Sequence, residues 1–189
     1  MKRVLLISFL AAACLQASAQ SIAKMEVLTD QTRVMSTSLC RYAKAKGLFG
    51  KRQRVGMSHI AYPDGDHAFA IPIPLSTDHY VHLPAGKRAF ISQANGNVVT
   101  LVNIHNLSRE DNSHLIGNRY TLLPAYAVSD AQMRTLAESE VTAIRLETDR
   151  PGNDYVIKRE DYPSEWLFNK YLQQCQNVLL WKLAELSKP

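Results

Sequence analysis

The chain has 189 residues, 46% of them hydrophobic and 21% charged, with a formal net charge of +5. That length suits one domain with a real core. Beyond the N-terminus no apolar run reaches membrane-spanning length and no repeat or low-complexity tract is visible, which excludes repeat arrays and spanning helices. The positive balance favours weak attraction to anionic surfaces and carries no information about fold.

Met1-Lys2-Arg3 precede an uncharged stretch over residues 4–13, and Ala17-Ser18-Ala19 precede Gln20. A basic start, a short apolar core and a small-x-small site are the parts of a secretory signal peptide. Residues 1–19 are therefore expected to be removed, leaving one α+β domain over 20–189. The apolar stretch is too short to cross a bilayer. Ala11-Ala12-Ala13-Cys14 resembles a lipobox, and a lipid anchor on Cys14 is the alternative, although Ala11 stands where leucine is usual. Cleavage removes Lys2 and Arg3 and no acid, so part of the positive charge leaves with the signal. It also leaves two cysteines, Cys40 and Cys175, in an oxidising compartment. They are candidates for one disulfide, with two buried thiols as the alternative.

Residues 24–42 read as one or two strands. Residues 43–54 carry two glycines and a run of bases and read as a loop. Two strand-like stretches, 55–62 and 67–73, flank Pro63-Asp64-Gly65-Asp66, a turn in which Gly65 supplies positive φ. Pro72 and Pro74 demote the end of the second stretch to an edge or an exit, because proline cannot donate to a ladder. Residues 87–94 and 98–104 flank Asn95-Gly96, a strong hairpin signal. The stretch 98–104 is apolar on both faces and predicts a central strand, followed by a polar loop over 105–118 and strand character over 119–128.

Ser129-Asp130-Ala131-Gln132 is a capping box that opens a short helix near 129–138. Residues 141–148 alternate once past Ala143, which predicts a half-buried strand. Pro151-Gly152-Asn153-Asp154 reads as a turn, and 155–158 as a return strand. Asp161 or Ser164 is expected to cap a last helix over 164–186. In it Phe168, Tyr171, Leu172, Cys175, Leu179, Leu183 and Leu186 form one apolar stripe. The whole predicts an antiparallel, hairpin-rich sheet with that helix packed on one face.

The spacing Tyr126-x-x-Ser129-x-x-Gln132-Met133-x-x-Leu136, then Val141-Thr142-x-Ile144-Arg145-Leu146-x-Thr148 and a terminal helix, resembles the tail of many small exported proteins of Gram-negative bacteria. The resemblance implies export and implies no activity and no catalytic residues.

Candidate chemistry is sparse. His59, His67, His79 and His82 lie near Asp64, Asp66 and Asp78. With a two-residue turn at Asp64-Gly65, His59 and His67 point to opposite sides, whereas a three-residue loop would reverse that. Zinc needs three or four converging ligands, and the spacing supplies none, so no metal is expected. Asp64-Gly65-Asp66 lacks the further oxygens of a calcium loop. Gly56-Met57-Ser58-His59-Ile60 lacks the last glycine of a nucleophile elbow. Glu110-Asp111 and Glu160-Asp161 read as surface charge, and Gly47-x-x-Gly50-Lys51 is too short for a phosphate loop. No catalytic residue and no cofactor is assigned.

What remains is the concentration of Lys44, Lys46, Lys51, Arg52 and Arg54, with Leu48 and Phe49 among them. Lys44, Lys46, Phe49, Lys51, Arg52 and Arg54 are the candidate contacts for an anionic partner: envelope lipid, a polyanionic glycan or another envelope protein. Nucleic acid is not expected of an exported chain. The reading is a periplasmic or secreted, non-enzymatic binding module. A structural component of an envelope assembly comes next, and a small secreted hydrolase last.

Overall fold

The structure, a computed structural model, describes residues 21–27, 30–44, 52–77, 82–104, 110–111, 119–149, 152, 154–163 and 165–187. The expected signal segment with Cys14 lies outside the described residues, as do Lys46, Leu48, Phe49, Lys51, His79 and Ser164.

The first segment forms β1 (Ile22–Val27) and β2 (Arg33–Thr37), and Cys40–Lys44 forms β3. There follow β4 (Arg52–Val55), β5 (Ser58–Ala61), β6 (His67–Pro72), β7 (Leu75–Thr77), β8 (Arg88–Gln93) and β9 (Val98–Asn103). Then come β10 (Glu110–Asp111), β11 (Arg119–Leu122), β12 (Ala125–Val128), helix α1 (Asp130–Glu138), β13 (Val141–Leu146), β14 (Tyr155–Lys158) and helix α2 (Phe168–Leu186). Nine strands make one sheet in the order β1-β2-β5-β6-β12-β9-β8-β13-β14, and β10-β11-β7 and β3-β4 make two smaller ones. Every pairing is antiparallel. The α+β class, the short helix and the long helix packed on the sheet are as the sequence predicts.

Two hairpins share one turn. Tyr62 N–H donates to Asp66 O at 2.8 Å and Gly65 N–H to Tyr62 O at 3.1 Å; Gln93 N–H donates to Asn97 O at 2.9 Å and Gly96 N–H to Gln93 O at 3.0 Å. Asp64 and Asn95 each accept the amide two residues on, both at 3.1 Å. Gly65 and Gly96 sit at φ +93° and +87°, where a side chain would be strained. The loops therefore hold three residues, which decides between the two loop lengths open at Asp64-Gly65 in favour of the longer.

Residues 55–62 do not form one strand. The chain leaves β4 and re-enters the large sheet as β5 at Gly56-Met57. A Cβ on Gly56 would stand 3.0 Å from Leu39 Cδ2 and 3.3 Å from Pro72 Cγ, so a side chain at the crossing point would press on both. Pro72 ends β6 opposite Ala125. It marks an exit, and β6 is an interior strand. β9 lies between β12 and β8 as expected. Its valines divide by face: Val99 is buried, while Val98 and Val102 are exposed.

The capping box forms as read, with Ser129 Oγ accepting from Gln132 N at 3.2 Å and Gln132 Oε1 from Ser129 N at 2.8 Å. The last helix begins later than predicted. Residues Arg159–Asp161 form a 3-10 turn, and α2 starts after Leu167, which makes no side-chain cap. The Leu167 amide instead donates to Tyr42 O at 2.8 Å, so a strand satisfies one of the helix's orphan donors. Phe168, Leu172, Cys175 and Leu179 are the buried stripe. They share one core cluster with Met133 and Leu136 of α1 and with Ile91, Leu101, Tyr126 and Ile144 of the sheet. Burying a side chain such as Leu179 contributes roughly 1.5–3 kcal/mol.

Candidate functional site: the outward face of the β3–β4 hairpin

The bases expected in a loop belong in part to two paired strands. Lys44 closes β3, and Arg52 and Arg54 lie on β4. The register is Cys40 opposite Val55, Arg41 opposite Arg54, Ala43 opposite Gln53 and Lys44 opposite Arg52, with a bulge at Tyr42. Side chains alternate faces along a strand. The extra residue at the bulge is why Arg41 and Lys44, three apart, return to the same side.

The inward side holds the hairpin to the body of the protein. Cys40, Tyr42, Ala43, Gln53 and Val55 are all buried. The Tyr42 ring meets Trp166 and Phe168 edge-on, with centroids 5.3 and 5.0 Å apart. Gln53 Nε2 donates to Tyr162 Oη at 2.8 Å. Trp166 Nε1 donates to Val141 O at 2.5 Å, which ties this aromatic group to the large sheet. Burial pushes the Tyr42 hydroxyl well above its ordinary pKa, helped by Tyr162 and Tyr155.

The outward side carries Arg41, Lys44, Arg52 and Arg54. The strands hold them as two cross-strand pairs of like charge. Like charges directly opposed across a ladder are destabilising, so folding gains nothing from this arrangement. Arg41 Nε lies 3.2 Å from Glu165 Oε2. Among the described residues no carboxylate pairs with Lys44, Arg52 or Arg54. Sequence reading missed Arg41, because it assigned that residue to a strand ending before the basic run. The signal was Arg52-Gln53-Arg54-Val55, whose alternation is that of a strand with one charged face.

The other candidates fall differently. The three-residue turn puts His59 and His67 on one face, with ring centroids 5.8 Å apart and Phe69 5.2 Å from His59. Burial, then His67, lowers the His59 pKa. Among the described residues no group of three or more His, Cys, Asp or Glu side chains could hold a metal ion. Ser58 Oγ bonds to Ser36 Oγ at 2.8 Å across the ladder, and it lies on the opposite side of β5 from His59. Glu160 pairs with Lys158 at 3.2 Å. An apolar groove of about 540 Å³ runs between β1 and the end of α2, lined by Met25, Val27, Met35, His59, Leu183 and Leu186. Cys40 and Cys175 are both buried, and no disulfide joins them in the structure.

No family model, no curated protein and no solved structure matches the chain.

Proposed function

We propose that the chain is an exported binding module that docks anionic groups of a cell-envelope lipid or glycan on the outward face of β3–β4. One observation carries this reading: two cross-strand pairs of like charge, Arg41 with Arg54 and Lys44 with Arg52, share a face where a single carboxylate among the described residues answers them. An anion placed between such pairs relieves their repulsion and gains charge-assisted hydrogen bonds. The strands set the spacing of the side-chain stems, so less freedom is lost on binding than from a flexible tract. Lys46 and Lys51, between the arms in sequence, would extend the charge, and Phe49 would add apolar contact. Export rests on the signal-like residues 1–19. Intact mass from the native host checks it: the reading expects an N-terminus at Gln20, a lipid increment on Cys14 would replace that processing by the lipid-anchored form, and an unprocessed start at Met1 would contradict export.

The test is retention on immobilised heparin and on vesicles of anionic lipid, for the wild type and for Lys44→Ser/Arg52→Ser/Arg54→Ser. Ionic contacts are screened over about 8 Å at physiological salt. The wild type should elute at clearly higher salt than the variant on at least one support, and the support that discriminates identifies glycan or lipid. Equal elution on both removes the hairpin as a binding face.

A further inference from the structure

Cys40 opens β3 and Cys175 stands midway along α2. Helix α2 packs against β2 and β3, which brings the elements that carry the two thiols together. The side chains of Thr37, at the end of β2, and of Cys40 both act on the Cys175 thiol. Cys40 Sγ also reaches Ser38 O at 3.8 Å. The environment is otherwise apolar: Leu172 and Leu179, one turn either side of Cys175 on α2, are buried in the same core. Two thiols side by side in one packed layer are placed to close to the disulfide length of about 2 Å.

We propose that Cys40 and Cys175 form a redox pair that closes to a disulfide when the protein meets a disulfide donor, such as glutathione disulfide or an oxidised dithiol oxidoreductase. The bond would pin the base of the β3–β4 hairpin to α2. It would act beside the contacts that Tyr42, Ala43 and Gln53 already make. The inference is independent of what the hairpin's outward face binds.

The two cysteines take different parts. Cys40 is 8% exposed and Cys175 is fully enclosed. Burial pushes the Cys175 thiol up to about 11, which leaves little thiolate to start an exchange. Cys40 thiolate therefore attacks the donor disulfide, forming a mixed disulfide and releasing one donor thiol. Cys175 then loses its proton and attacks the Cys40 sulfur, releasing the second. Two electrons and two protons pass from the pair to the donor, which leaves as two thiols.

The experiment uses the full chain with Cys14→Ser, so that only this pair remains. The protein is reduced, unfolded and refolded in a glutathione buffer containing both redox forms. The pair should lose the mass of two hydrogens and give no titratable thiol after denaturation. The tryptic fragments 34–41 and 171–182 should be joined, and Tm should fall when a dithiol reductant is added. With Cys175→Ser added, Cys40 should stop at the glutathione mixed disulfide. Two titratable thiols, or glutathione adducts in place of the internal bond, would overturn the proposal.

Discussion

Arginines on paired strands are placed in opposite ways on the large sheet and on the β3–β4 hairpin. On the large sheet, Arg88 and Arg145 flank the ring of Phe90, with guanidinium carbons 5.2 and 4.1 Å from its centroid. Arg88 donates to both oxygens of Glu147, at 3.0 and 2.7 Å, and Arg145 to Asp154 at 2.8 Å. Each cation there has an acid and an aromatic face. On the hairpin, Arg41 faces Arg54 and Lys44 faces Arg52, and only Arg41 has an acid partner among the described residues. The same residue types serve the sheet in one place and, in the proposed function, an outside partner in the other. What separates them is whether the fold supplies the counter-charge.

The inward and outward sides of the hairpin should separate most sharply in stability. Tyr42 is fully buried between Trp166 and Phe168. Tyr42→Ala should cost about 3–5 kcal/mol in denaturant unfolding, as large aromatic deletions do. A loss near zero would mean that the hairpin is not anchored through this ring. Tyr42→Phe should be neutral or stabilising, because the hydroxyl is buried with no hydrogen-bond partner among the described residues.

A smaller effect should mark the paired surface. Hydrogen bonds from Arg88 hold the Glu147 carboxyl below its ordinary pKa. A carboxyl depressed in the folded state binds its proton more readily when unfolded, so its contribution is present above the unfolded pKa and is lost as pH falls through the folded value. Glu147→Gln should therefore lower the unfolding midpoint slightly at neutral pH. The difference from wild type should close in acid. A difference independent of pH would assign the effect to packing instead of to the ion pair.

This contrast was only half legible in the sequence. Turn and cap chemistry was local and readable: Asn95-Gly96 and the Ser129–Gln132 box needed only their neighbours. The helix stripe was readable for the same reason, up to Leu183. What failed depended on distant residues. The α2 start was misplaced because the Leu167 amide at its head is met by Tyr42 O and no side chain caps the helix. The hairpin arms were hidden because the strand character of residues 52–55 comes from burying Gln53 and Val55 against residues far along the chain. The face-sharing of His59 with His67 turned on one residue of loop length. The four-cation face depended on the bulge at Tyr42, which no local pattern announced.

The smallest expected effect on folding belongs to the outward cations, and the largest on binding. Arg52→Ser/Arg54→Ser should leave the unfolding midpoint unchanged or slightly raised, since it relieves both like-charge pairs. The most direct measurement sets it against Arg88→Ser/Arg145→Ser, which removes the same charge from the paired surface. Both variants and the wild type are eluted in salt gradients from immobilised heparin and from anionic-lipid vesicles. The hairpin variant should elute well before the wild type on at least one support, while the sheet variant elutes with it on that same support. Equal losses for the two variants on both supports would show that retention follows net charge alone and would contradict a binding face on β3–β4.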